Sequence, residues 1–166
     1  MRHNRMRKCL KLPKRPEGSY LFAMSLQKFP NLKFFGHSQS FWAEIARLET
    51  PGERYGYPCS AVKEEGVIPK LMRKYPNLYG DLSAGSACNA LKRDRKYAIK
   101  FLNEFQDRLM FGTDITAPDT ATPLVDFLLE LKSAGDIPEL VFNKVARENA
   151  IRIKKHLLLL PQQFRY

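Results

Sequence analysis

Lys74–Ser83 reads KYPNLYGDLS, and Lys28–His37 reads KFPNLKFFGH. Both share the frame Lys-aromatic-Pro-Asn-Leu followed by a short apolar run, and helix-compatible sequence precedes each, at Tyr20–Gln27 and Val67–Arg73. Proline cannot continue the i→i−4 ladder, so it ends the helix. Asparagine then favours the turn, and the apolar run begins a strand. Helix, turn and strand in that order form the αβ junction of a parallel α/β fold. A third junction uses other turn residues: an amphipathic stretch at Tyr97–Leu102 and Phe105 leads through Gln106–Arg108 into LMFGTDI, Leu109–Ile115. Strands are expected over 32–36, 78–82 and 109–113, and their continuous apolar runs fit strands covered on both faces. Beyond them, Thr120 or Thr122 caps a helix with Pro123 in its first turn, running through Lys132 to near Gly135. Asp136 caps a second helix, with Pro138 near its start, to about Ile153; no further strand is expected.

A chain of 166 residues with 44% apolar content accommodates about one domain. Its longest purely aliphatic run is Leu157–Leu160, far short of a membrane span. Cys9, Cys59 and Cys88 form neither a disulfide framework nor a zinc knuckle, so a reducing, cytoplasmic setting is expected. The net charge of +11 is unevenly placed. Residues 1–16 hold seven of the 28 Lys and Arg residues and no acid, leaving 21 basic against 17 acidic residues in the remainder. The expected organisation is a basic, disordered segment at 1–18, a folded body at 19–155 and a C-terminal tail at 156–166. Without interleaved aromatics or a recognition motif, nucleic acid is not an expected partner of the basic segment beyond nonspecific phosphate attraction.

Each expected strand ends in polar residues: His37, then Asp81 with Ser83, then Asp114. Chemistry in parallel α/β folds sits where strands deliver side chains to the C-terminal edge. A neutral imidazole there can act as a base or bind a metal, and a carboxylate can ligate a metal or hold a water. Each residue also has a structural reading: His37 as a hydrogen-bonded strand end, Asp114 as a helix or turn cap, and Asp81–Asn89 as a tight strand-to-helix connection, whose glycine and small residues would otherwise let backbone N–H groups meet an anion. No nucleophile-elbow pattern surrounds Ser83 or Ser86, His156 sits among lysines as a solvated residue, and Phe41 and Trp42 read as the packing face of the next helix.

Four ordered segments, FFGHSQSFWAEI, KYPNLYGDLSAGSACNAL, EFQDRLMFGTDI and FNKVARENAIRI, resemble the C-terminal part of the amidohydrolase-related family, of the aminocarboxymuconate-semialdehyde decarboxylase type. The resemblance spans roughly 28–153. It implies the α/β class and, more narrowly, a fragment of a (β/α)8 TIM barrel of about three βα units, strands six to eight. It also implies a metal-dependent hydrolase or decarboxylase acting on a small-molecule substrate at a C–N or C–O bond. By that resemblance His37 and Asp114 are the catalytic residues, and both are ligands of a divalent metal, zinc or similar. The family's first-strand His-x-His pair has no counterpart here, since the other histidines are His3 and His156. The expectation is therefore a partial barrel, completed by self-association or a partner chain. The competing expectation is a noncatalytic remnant whose basic segment makes nonspecific nucleic-acid contacts.

Overall fold

The computed structural model describes residues 18–158. The elements run α1 (Gly18–Lys28), β1 (Phe34–Gly36), α2 (Gln39–Trp42), α3 (Val67–Lys74), β2 (Leu78–Asp81), α4 (Ala84–Lys92), α5 (Arg95–Glu104), β3 (Leu109–Met110), α6 (Pro123–Ser133), α7 (Glu139–Asn143) and α8 (Asn149–Leu158). Two 3-10 turns, Ala43–Ile45 and Pro51–Tyr55, follow α2, and a π turn over Lys144–Glu148 joins α7 to α8. The three strands form one parallel sheet in the order β1-β2-β3, so the expected α/β class and parallel pairing hold. Buried Trp42, Met72, Leu78, Leu91, Phe101 and Leu109 fill the space between the sheet and its helices.

Each αβ junction is held by a side chain from the unit that follows. Asn77, itself buried, donates from Nδ2 to the carbonyls of Leu26, Phe29 and Leu32 at 3.0, 3.0 and 3.2 Å. Arg108 Nη1 donates to Met72, Tyr75 and Leu78 carbonyls at 2.5, 3.0 and 3.4 Å. Asn149 Nδ2 donates to Gln106 and Leu109 carbonyls at 2.6 and 2.8 Å. The last turn of a helix leaves carbonyls without intrahelical partners, and a buried carbonyl without one is costly. Asn77 is thus the Asn of the second repeat clamping the turn of the first. Asn77→Ala is expected to cost about 2–4 kcal/mol, since one buried and two part-buried carbonyls lose their donor at once. Urea unfolding measures this, and an unshifted midpoint would contradict the clamp.

The strand ends differ from the sequence expectation for reasons that lie far away in the chain. Leu32 and Lys33 are not in β1, because the Leu32 carbonyl is taken by Asn77 and the Leu32 N–H by the Phe29 carbonyl. β2 stops at Asp81 because the Asp81 carboxylate turns back to accept the Ser83 N–H at 2.9 Å. β3 stops at Met110, three residues early, because Phe111 N–H donates to the Val145 carbonyl at 2.9 Å and leaves the sheet. The stretch expected as a connection after β2 contains α4, whose buried Ser86, Ala87 and Ala90 are small enough for close helix packing. Asp136 does not cap the next helix. Its carboxylate pairs with Arg95, α7 begins after Pro138, and the expected single helix to Ile153 is interrupted by the π turn and continues to Leu158. The end of α6 near Gly135 is as expected. Gly135 has φ 75°, its N–H reaches Lys132 O, and Asp136 N–H reaches Leu131 O, a full Schellman closure.

One surface cluster ties the long β1–β2 connection to the helices. Glu65 accepts from Arg73 at 2.5 and 3.0 Å and from Lys100 at 2.9 Å, and Arg73 also reaches Glu104. The Arg73 hydrogen bonds, with Lys100 behind them and burial opposing, hold the Glu65 carboxyl down at about 2. The folded state therefore resists protonating Glu65 where the unfolded chain does not. Its stabilisation is fully present above the ordinary carboxylate range and is lost as pH falls toward about 2. Glu65→Gln is expected to flatten the acid limb of a stability-against-pH curve below pH ~4.5, the usual carboxylate value. An acid limb of unchanged slope would contradict this.

Candidate active site at the C-terminal edge of the sheet

Strand alternation and register bring the polar residues together. Phe35 pairs with Tyr79 and Gly36 with Gly80, so His37 lies level with Asp81, and Asp81 in turn pairs with Met110. Side chains two apart share a face. Phe35 and His37, Tyr79 and Asp81, and Met110 thus follow one another up one face, and Ser83 and Asp114 come to it from the loops beyond the strand ends, where both meet His37. The lower rows are apolar and the rows past the strand ends are polar. Each strand exit carries a non-glycine residue in the left-handed region: Ser38 at φ 78°, Ala84 at 62° and Asp114 at 55°. Such conformations cost on the order of 1–3 kcal/mol each and gather where geometry serves function.

His37 is the hub. Its Nδ1 stands 3.2 Å from Asp81 Oδ2 and 3.2 Å from Ser83 Oγ, and its Nε2 faces Asp114 Oδ2 at 4.0 Å. Asp81 is fixed twice over, by the Ser83 N–H on Oδ1 and by the buried Trp42 indole, which donates to the Asp81 carbonyl at 2.9 Å. Gly112 passes so close that a Cβ there would stand 2.9 Å from Ser83 Cβ. Beside His37, at the β1 edge, a cavity of about 340 Å3 is lined by Phe22, Phe35, Phe41, Ile68 and Leu71, and the Glu44–Arg54 ion pair at 2.6 Å closes one side.

The two residues expected at the site, His37 and Asp114, are thus neighbours. Asp81 and Ser83, the polar end of the second strand, join them at His37 Nδ1. Ser86 is buried within α4, and the side chain of His156 lies outside the described residues, as does His3. Ser83 makes no Ser-His-Asp relay, because it and Asp81 meet the same imidazole nitrogen.

A family model described as amidohydrolase matches residues 12–153. The chain belongs to the amidohydrolase family. No curated protein and no solved structure matches it significantly. Amidohydrolases typically bind a divalent metal. Here His37 Nε2 and Asp114 Oδ2 would both have to reach it. Two ligands on a tetrahedral zinc lie roughly 3.3 Å apart and a site takes at least three, whereas these two stand 4.0 Å apart. Among the described residues, no group of three His, Cys, Asp or Glu is placed to hold a metal ion. The donor set present does not by itself fit a metal. No helix among the described residues is long and apolar enough to cross a membrane.

Proposed function

We propose that this amidohydrolase chain is a hydrolase of small-molecule C–N or C–O bonds, with His37 as general base and Asp114 as the carboxylate that holds the attacking water. The observation that carries this reading is the separation of His37 Nε2 and Asp114 Oδ2 at 4.0 Å, a gap that one hydrogen-bonded water spans. Asp114 accepts one hydrogen of that water and Nε2 takes the other as its oxygen bonds to the carbonyl carbon. The proton then passes from His37 to the departing nitrogen or oxygen as the old bond breaks. The apolar lining of the cavity beside His37 favours a substrate with an apolar or aryl portion on the side of the scissile group facing β1. On this reading β1, β2 and β3 correspond to strands six, seven and eight of the family's barrel. The exposed Phe35 on β1 and the exposed Leu32 in the turn before it support completion of the sheet by a second copy or a partner chain.

The test is hydrolysis of a panel of aryl esters, lactones and anilides by the full chain in oxygen-18 water. The product acid is expected to carry one labelled oxygen, with turnover lost in Asp114→Asn. Unchanged turnover in that variant would overturn the assignment.

A further inference from the structure

We infer that Asp81 is a positioning residue that sets the tautomer of His37, and the inference rests on reading His37 as the base. A neutral imidazole carries one proton, and a base at Nε2 requires that proton on Nδ1. Two groups compete for Nδ1. The Asp81 carboxylate at 3.2 Å can only accept, which demands Nδ1–H. The Ser83 hydroxyl, also at 3.2 Å, could donate instead, which would leave the proton on Nε2 and disarm the base. A hydrogen bond to an ionised acceptor is roughly twice as strong as a neutral one, so the carboxylate prevails and Ser83 is left to accept or to donate elsewhere. The placement of Asp81 does not depend on His37. Oδ1 is held by the Ser83 N–H at 2.9 Å, the main chain is held by the Trp42 indole, and Oδ2 is left facing the imidazole.

This geometry makes Asp81→Asn informative. The Ser83 N–H needs an acceptor, so the amide oxygen takes the Oδ1 position and the amide nitrogen faces Nδ1 as a donor. The shape is unchanged and the tautomer inverts. The experiment is long-range proton–nitrogen NMR on the nitrogen-15-labelled full chain at about pH 8.5, with His37 assigned by its absence from His37→Gln. Wild type is expected to show Nδ1–H, Asp81→Asn to show Nε2–H, and Ser83→Ala to keep Nδ1–H. In turnover, Asp81→Asn is expected to lose about 10²–10⁴-fold in kcat with KM little changed. Nδ1–H retained in Asp81→Asn, or inverted in Ser83→Ala, overturns the inference, as does Nε2–H in wild type should the Asn variant fail to fold. The spectra need no substrate. Inversion in a chain that hydrolyses nothing would uphold the positioning role and refute the hydrolase reading alone.

Discussion

Replacing His37 with alanine is expected to lower kcat/KM for hydrolysis by about 10²–10⁴-fold, the usual contribution of a placed general base, while leaving the unfolding midpoint where it was. The imidazole side chain is 40% exposed, so removing it opens no core cavity, and water can serve its partly exposed carboxylate partners Asp81 and Asp114. Stability and activity should therefore separate cleanly at this residue. The same exposure leaves room for added imidazole to take the place of the missing ring, so partial rescue by free imidazole is expected. A fall in activity matched by a fall in stability would mean instead that His37 holds the strand end and does no chemistry.

Trp42→Ala is expected to be the most damaging single substitution to the fold, at about 3–5 kcal/mol, the range for emptying a buried large aromatic site. The ring is fully buried, stacks edge-on with Phe41 at 5.1 Å and Phe101 at 6.2 Å, and lies against Gly80 where any Cβ would meet it. It also fills the indole's one donor need with the Asp81 carbonyl. Trp42→Phe separates the two roles. It retains most of the packing but leaves a part-buried carbonyl without its donor, for about 1–3 kcal/mol, and it frees the main chain under Asp81. Activity in Trp42→Phe should accordingly fall further than its modest destabilisation implies. Trp42 is the sole tryptophan, so unfolding is followed by circular dichroism and not by fluorescence. Loss in Trp42→Ala no larger than a surface substitution, within about 0.5 kcal/mol, would contradict this packing.

What the sequence disclosed and what it hid follow from the range of the forces involved. The αβ junctions were legible because Pro30 and Pro76 act locally, ending a helix wherever they stand. The strand ends were not, because they depend on Asn77 reaching Leu32 and on Val145 meeting Phe111 across the molecule. α4 was hidden by its composition: Ala-Gly-Ser-Ala-Cys has the small residues of a loop, and only the buried packing of that face makes it a helix. His37 and Asp114 stood out as a histidine and a carboxylate at strand exits. Asp81 is legible as a strand-end residue but not as the partner of His37, because the repeated Lys-aromatic-Pro-Asn-Leu frame sets His37 level with Ser83, whereas the pairing of Gly36 with Gly80 sets it level with Asp81. The register is offset by two residues from the repeat, which keeps the same face while changing the partner.

The family membership covers most of the chain, while the chemistry proposed for it rests on two side chains and the water between them. A double-mutant cycle tests that claim most directly, with kcat/KM measured for wild type, His37→Ala, Asp114→Asn and the double variant on the best substrate of the panel. Residues that act on one water lose their function together. The double variant should therefore be about as slow as the worse single one. Losses that multiply would show that His37 and Asp114 act independently, and the shared water would have to be abandoned.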